Sequence, residues 1–295
     1  MPLNYDILAV DLDGTLLDPN GHVTPPTLDA INRARRAGLT IIPCTGRGLA
    51  ECRHVLEAID HDGPAVVAGG AIIADARTGK TLHRFAVSES IVAGATDAIH
   101  SADNAALLLK DRSAAGFDYL VVTGPGDHPI DPVSVWWFES LNVTTRFVRT
   151  LEEDEHPEHT VRVGMVADAH RSVPLMQTLA RRFGDDAILH SFPAVVNAEL
   201  NAGKAREVHV LEVFDARAHK WSAVQWCAAQ QALFNPRVCA VGDHVNDVTM
   251  LRSAQLGIAM GNADASARDA ADVVTRSNAE DGLAHAIDMI LTGAW

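Results

Sequence analysis

The sequence predicts an α/β fold: a Rossmann-like, doubly wound parallel sheet whose chain is interrupted by an inserted α/β unit. Three observations carry this. Short apolar runs alternate with helix-spaced segments at the N-terminus, and the same rhythm returns near the C-terminus, as in a parallel sheet covered by helices. Between these blocks, residues 84 to 212 carry a more mixed pattern. The length of 295 residues also favours two domains, because single cores stop growing near about 250 to 300 residues.

In order, residues 5 to 10 read as a short, partly β-branched strand ending in acids, and 26 to 38 as a helix with a glycine stop. Residues 39 to 44 are a second strand, 48 to 59 a second helix and 65 to 68 a third strand. The inserted stretch holds short strands at 118 to 122 and 161 to 166 and a helix near 170 to 183. Beyond it come helix 220 to 233, strand 237 to 241, helix 246 to 253, strands 256 to 260 and 272 to 275, and helix 280 to 291. The expected domains are therefore 1–83 with 213–295 as a core, and 84–212 as the insertion.

The chain is 47% apolar and 21% charged, a globular composition that excludes disorder. With 24 basic against 38 acidic residues the net charge is −14. That opposes nucleic acid and anionic membranes as partners, since both need clustered Lys and Arg, but leaves a small anionic substrate open. The N-terminus lacks a signal-peptide pattern, and no apolar run approaches the roughly 20 residues of a membrane span, so a cytoplasmic location is expected. Cys44, Cys52, Cys227 and Cys239 show no CxxC spacing and read as buried thiols in a reducing compartment. The sequon at Asn142 then has no glycosylation meaning.

The sharpest feature is Asp11-Leu12-Asp13-Gly14-Thr15, directly after the first strand. Parallel sheets bind ligands outside the carboxyl ends of their strands, so both carboxylates belong at a site mouth. One acid can attack or bind metal while its neighbour moves protons, and the glycine permits a tight turn. A bare DxD is more often a cap or loop decoration; three further elements at other strand ends change that balance. Thr45-Gly46-Arg47 brings a hydroxyl and backbone amides suited to phosphate. Gly242-Asp243-His244-Val245-Asn246-Asp247 follows another strand with hard oxygen ligands of the kind Mg2+ prefers. Lys220, opening a helix, offers a point charge to phosphate oxygens.

Taken in order, these four elements resemble the haloacid dehalogenase (HAD) superfamily of phosphatases, and most closely its Cof-like IIB subfamily. That subfamily inserts a long α/β cap of the C2 type between its second and third motifs. The match covers about 1 to 83 and 213 to 295 and is thin across the cap. The resemblance implies that Asp11 is the nucleophile, forming an aspartyl-phosphate, and that Asp13 is the general acid and then the base. It implies one Mg2+ held by the Asp11 carboxylate, the Asp13 backbone carbonyl and Asp243, with Asp247 in support. Leu12, Thr45, Gly46, Lys220 and Asn246 would hold the transferring phosphoryl group of a small phosphorylated metabolite, a sugar phosphate or similar. Two positions depart from the family. Gly69-Gly70-Ala71 stands where Asn-Gly-Ala is usual, and His219 and Trp221 flank Lys220. Both bear on the substrate, whose contacts lie in the cap. The oligomeric state is not legible.

Other readings are a phosphomutase with the same nucleophile, a phosphate sensor without turnover, and a nucleotide-binding loop at 74 to 81. That last segment mimics GxxxxGK[ST], but a strand-like stretch follows where a phosphate loop must open a helix, so a hairpin turn is expected. Lys204 reads as a surface residue rather than the catalytic lysine. Trp136-Trp137-Phe138 reads as cap core. Arg47 is balanced between a substrate contact and a surface ion pair, and His244 is a neighbour of the site rather than a ligand. The acidic run at 151 to 159 reads as a solvated loop. In it His156 and His159 have HxxH spacing, but Pro157 spoils the helix that would aim both at one metal.

Overall fold

The computed structural model describes residues 3–194, 207–231 and 235–295. The chain divides into two compact units, Met1–His83 with His219–Trp295, and Arg84–Ala218.

The first unit opens with β1 (Ile7–Asp11), whose five residues are all buried, as expected for a strand covered on both faces. Helix α1 (Pro25–Arg36) starts where the Thr24 hydroxyl accepts the Thr27 N–H at 3.3 Å, with Pro25 in the first turn, a place where its missing N–H costs nothing. Then come β2 (Thr40–Cys44), α2 (Leu49–Ala58), β3 (Pro64–Val67), β4 (Ile72–Asp75) and β5 (Thr81–Arg84). The segment resembling a phosphate loop is the turn between β4 and β5: Gly79, at φ +73°, donates to the Asp75 carbonyl at 2.9 Å and a strand follows.

The second unit contains α3 (Glu89–Ser101), β6 (Ala106–Lys110), α4 (Arg112–Ala115), β7 (Tyr119–Val122), α5 (Pro132–Ser140), β8 (Thr145–Val148), β9 (Thr160–Asp168), α6 (Ala169–Phe183), β10 (Ala187–Pro193) and β11 (Val208–Asp215). Its sheet runs β10-β11-β9-β6-β7-β8. Ile91, Ala95 and Ile99 of α3 and Leu175 and Leu179 of α6 pack with Leu108, Val163 and Leu211 of the sheet into one apolar core. Strand residues of alternate parity include Arg162 and Glu212, ion-paired at 2.5 Å and both buried. With Tyr119, Ser134, Trp137 and Phe138 they line a cavity of about 20 Å³, room for one water.

Three expectations change here. Strand β11 carries this sheet through Asp215, so the unit ends at Ala218 rather than 212. Trp136, Trp137 and Phe138 are half-buried rather than core, because α5 is a short helix that buries only its Val133 and Ser134 face. The acidic run is not wholly solvated: Asp154 is buried against Lys110 Nζ at 2.5 Å. Lys204 lies outside the described residues.

The chain returns to the first unit with α7 (Lys220–Gln230), β12 (Val238–Gly242), α8 (Val248–Ser253), β13 (Leu256–Ala259), α9 (Ala265–Ala270), β14 (Val273–Val274) and α10 (Gly282–Thr292). The end of the expected helix at 233 falls outside the described residues. The sheet order is β14-β13-β12-β1-β2-β3-β4-β5, parallel from β14 to β3. From β1 the chain winds one way through β2 and β3 and later the other way from β12, so the β1–β12 pair is a topological switch point. A crevice for ligands opens there at the carboxyl ends. All four cysteines are free and buried. Among the described residues no helix is long and apolar enough to cross a membrane.

Candidate active site

The register pairs Val10 with Val241, so the residues that follow, from Asp11 on one strand and Gly242-Asp243 on the other, emerge side by side. The turn after β1 needs Gly14 at φ +79°; a Cβ there would stand 2.2 Å from Asp243 Oδ2. The turn after β12 needs Gly242, where a Cβ would meet the Asp247 side chain at 2.6 Å. Both glycines let the acidic loops approach closely.

Lys220 joins the loops. Its fully buried Nζ donates to Asp11 Oδ1 at 2.5 Å and to Asp247 Oδ1 at 2.6 Å. Asp247 Oδ2 accepts the backbone N–H groups of Asp243 and His244 at 3.0 and 3.1 Å. Both Asp247 oxygens are thus engaged, and this residue orders the loop. Asp243 Oδ1 accepts from the Thr15 hydroxyl at 3.1 Å, and Asn262 Nδ2 bridges Asp243 Oδ2 at 3.4 Å and the Gly14 carbonyl at 2.9 Å. Asp11 Oδ2, buried beside them, has no hydrogen-bond partner.

Ligand oxygens of Asp11, Asp243 and Asp247 lie within 4.8 Å of one another. Three carboxylates face one ammonium, which leaves a formal charge of −2. Burial, reinforced by the neighbouring carboxylates, pushes the Asp11 carboxyl well above its usual range and that of Asp243 up to about 7. Burial alone would lower the Lys220 pKa, but Asp11 and Asp247 overcome it and hold the ammonium charged. A divalent cation would neutralise the remaining −2, so an acidic cluster with an unpartnered buried oxygen fits one.

Around this centre, Thr45 is buried and its Oγ1 accepts the Arg47 N–H at 3.1 Å. Gly46 lies beside Asn246, whose Nδ2 would be 3.6 Å from a Cβ there; Asn246 Oδ1 is buried without a partner. Leu12 buries its side chain completely, leaving only its backbone to face a ligand. Arg47 Nε donates to Asp13 Oδ2 at 2.9 Å, and its Nη2 to Oδ1. The sequence thus named residues that the fold brings together. It did not single out Asn262 or Thr15 as partners of Asp243, although Thr15 belongs to the DLDGT run and Asn262 closely follows a predicted strand end. Nor did it explain Gly70: at φ +103°, a Cβ there would lie 2.3 Å from the His219 carbonyl carbon and 2.6 Å from Lys220 N. His244 has a 46% exposed side chain and is absent from the carboxylate cluster.

A family model for haloacid dehalogenase-like hydrolases matches residues 8–287. The chain belongs to this family. Among curated relatives of this HAD-like hydrolase, pyridoxal phosphate phosphatase YbhA of Escherichia coli strain K12 is 27% identical, the match covering 95% of this chain and 97% of the relative. The 5-amino-6-(5-phospho-D-ribitylamino)uracil phosphatase YwtE of Bacillus subtilis strain 168 is 26% identical over 98% and 99%. A solved HAD subclass IIB sugar phosphatase superposes with a TM-score of 0.74 at 19% identity, over 98% of this chain and all of that one. This HAD-like hydrolase is therefore an enzyme of the phosphatase class, with the parallel-sheet core of its family.

Proposed function

We propose that the enzyme is a Mg2+-dependent phosphatase that hydrolyses a small phosphorylated metabolite, a sugar phosphate or similar, through an aspartyl-phosphate on Asp11. The observation that carries the reading is Asp11 itself. Lys220 fixes one of its oxygens, and the other is buried, unpartnered and beside the −2 cluster. The Asp11 carboxylate, Asp243 and the Asp13 carbonyl would hold Mg2+, with Asp247 in support. The ion would mask the phosphoryl charge that otherwise repels a carboxylate nucleophile.

The chain's own groups supply the rest. One Asp11 carboxylate oxygen attacks phosphorus as the ester P–O bond breaks, and Asp13 delivers a proton to the departing oxygen. Asp13 then takes a proton from the water that cleaves the aspartyl-phosphate, releasing inorganic phosphate and restoring Asp11. Arg47 aims the Asp13 carboxylate in its ionised form, the state that takes the proton from water. Thr45, Gly46, Asn246, the Leu12 backbone and the third Lys220 N–H receive the phosphoryl oxygens, since phosphoryl transfer is governed by positioning and charge stabilisation. The names of relatives, which act on pyridoxal phosphate and a ribityl phosphate, support a small phosphorylated substrate.

Phosphate release from p-nitrophenyl phosphate and from a panel of sugar, nucleotide and cofactor phosphates tests this. Turnover should require Mg2+, stop with chelator and be abolished in Asp11→Asn with the fold intact. Full activity in Asp11→Asn would overturn the assignment.

A further inference from the structure

In the second unit, outside the carboxylate centre, one cluster is built from three residues that fall within four consecutive positions, His156 to His159. The proline between His156 and His159 spoils an α-helix, but the chain makes a different turn. Pro157–His159 form one turn of 3₁₀-helix with the proline first and His156 as its cap. In a 3₁₀ turn side chains three apart eclipse, so the spacing that fails on a proline-broken α-helix succeeds here. The two imidazoles stack with centroids 5.8 Å apart and planes 21° apart. Glu158 reaches back, its Oε1 3.2 Å from His159 Nε2.

The geometry points to a second metal site: His156, Glu158 and His159 bind one divalent transition-metal ion of the zinc class. One ligand atom from each lies within 4.8 Å of the other two. Tetrahedral zinc with bonds of about 2.0 to 2.1 Å spaces its ligands about 3.3 Å apart, so side-chain rotation of an ångström or so completes the set. His159 Nδ1 is buried with no hydrogen-bond partner while Nε2 faces Glu158.

The backbone beneath is already fixed. Asp154 Oδ1 accepts the His156 N–H at 3.0 Å, and buried Lys110 Nζ donates to the His156 carbonyl at 3.1 Å. The His159 N–H closes the turn on His156 at 3.1 Å, and its carbonyl accepts the Asp111 N–H at 2.9 Å. A site whose main chain is ordered before binding loses less entropy on binding. The charge also suits a cation. Of the five acids from Glu152 to Glu158, Asp154 is paired with Lys110 and Glu155 with Arg146, which leaves Glu152, Glu153 and Glu158; Arg84, which acts on Glu158 as Lys110 does, is tied to Asp111 at 2.8 Å.

Two imidazoles and one carboxylate select zinc, nickel or copper, whereas the all-oxygen cluster of Asp11, Asp243 and Asp247 suits magnesium. The Glu158 side chain is 60% exposed, so the ion has a route in and keeps a coordination position for water. The two sites are thus separable by metal type.

The test is Zn2+ binding to the full chain by competition with a chromogenic chelator, in excess Mg2+ that occupies the oxygen cluster. Wild type should take up one Zn2+ that Mg2+ does not displace, and should gain Tm on adding it. His156→Gln and Glu158→Gln should each weaken uptake by about tenfold or more and lose the Tm gain, while Tm in chelator and Mg2+-supported turnover stay at wild-type values. The site is overturned if both variants bind Zn2+ as wild type does, if Mg2+ displaces the zinc, or if uptake is lost in Asp243→Asn but kept in His156→Gln.

Discussion

Arg47 grips Asp13 with two donors: Nε meets Oδ2 at 2.9 Å and Nη2 meets Oδ1. The side chains are 27% and 52% exposed, so the pair lies at the rim of the site, and its worth is orientation more than stability. The sequence had left Arg47 between a substrate contact and an ion pair; the structure makes it the partner of the proposed acid–base residue.

Arg47→Ala should therefore lower kcat by roughly tenfold to a hundredfold, part of the range a positioned acid–base group contributes, with Tm nearly unchanged. Arg47→Lys should recover little, because one ammonium cannot replace a two-pronged grip. Steady-state kinetics with p-nitrophenyl phosphate reads both; a wild-type kcat in Arg47→Ala would remove the positioning role.

Asp247 is completely buried, and both its oxygens are used by Lys220 and the loop amides. In Asp247→Asn, Lys220 stays paired with Asp11, but an amide nitrogen replaces one acceptor oxygen, and leaving a buried polar group unsatisfied costs about 1 to 3 kcal/mol. Asp247→Asn should therefore lose stability of that order in urea unfolding, along with turnover. A variant as stable as wild type would show that the loop does not depend on this carboxylate.

Gly70 presses against the start of α7. A side chain there meets the backbone of His219 and Lys220, and a positive φ alone costs an L-residue about 1 to 2 kcal/mol. Gly70→Ala should lose at least about 2 kcal/mol and shift Lys220, lowering kcat; Gly21→Ala, where no atom lies within 4 Å of a Cβ, should leave activity alone. Equal kcat in the two variants would break the link between Gly70 and Lys220.

Burial lifts the Asp243 carboxyl from 3.8 to about 7 in the folded chain. The folded state then holds this proton more tightly than the unfolded one. The stability it contributes is complete below about pH 4 and is lost as pH rises toward about 7. Half-buried His61 and His219, whose pKa values desolvation lowers, act in the opposite sense near neutrality, so the comparison is with Asp243→Asn. In chelator, wild type should lose more Tm than this variant between pH 5 and 8. Mg2+, which competes with the proton, should raise wild-type Tm more at pH 8 than at pH 5.5. A larger Mg2+ effect at the lower pH would contradict the coupling.

How much could be read beforehand differs by residue. Asp11, Thr45 and Asp243 each stand at or just past the end of an apolar strand, and a parallel sheet gathers such ends at one edge; their convergence followed from the sequence alone. So did the turn at 74 to 81, because strand alternation after Thr81 excludes a helix. The second unit was less legible. A short helix such as α5 gives too few turns to show which face is buried, and Asp154 reads as one more solvated acid until Lys110, 44 residues away, is seen beneath it.

The sequence by itself determined the α/β class, the interrupted core and the set of residues at the strand ends, because these depend on local periodicity and on the one-sided geometry of parallel sheets. Only the tertiary structure decided how those residues divide their work: Asp247 spent on Lys220 and two amides, Asp11 left with one oxygen unpartnered, Asp13 claimed by Arg47, and two histidines brought together by a proline that reads as an obstacle. Partner choice among buried charges is a competition over a few ångströms between groups distant in sequence, and strand register and burial settle it.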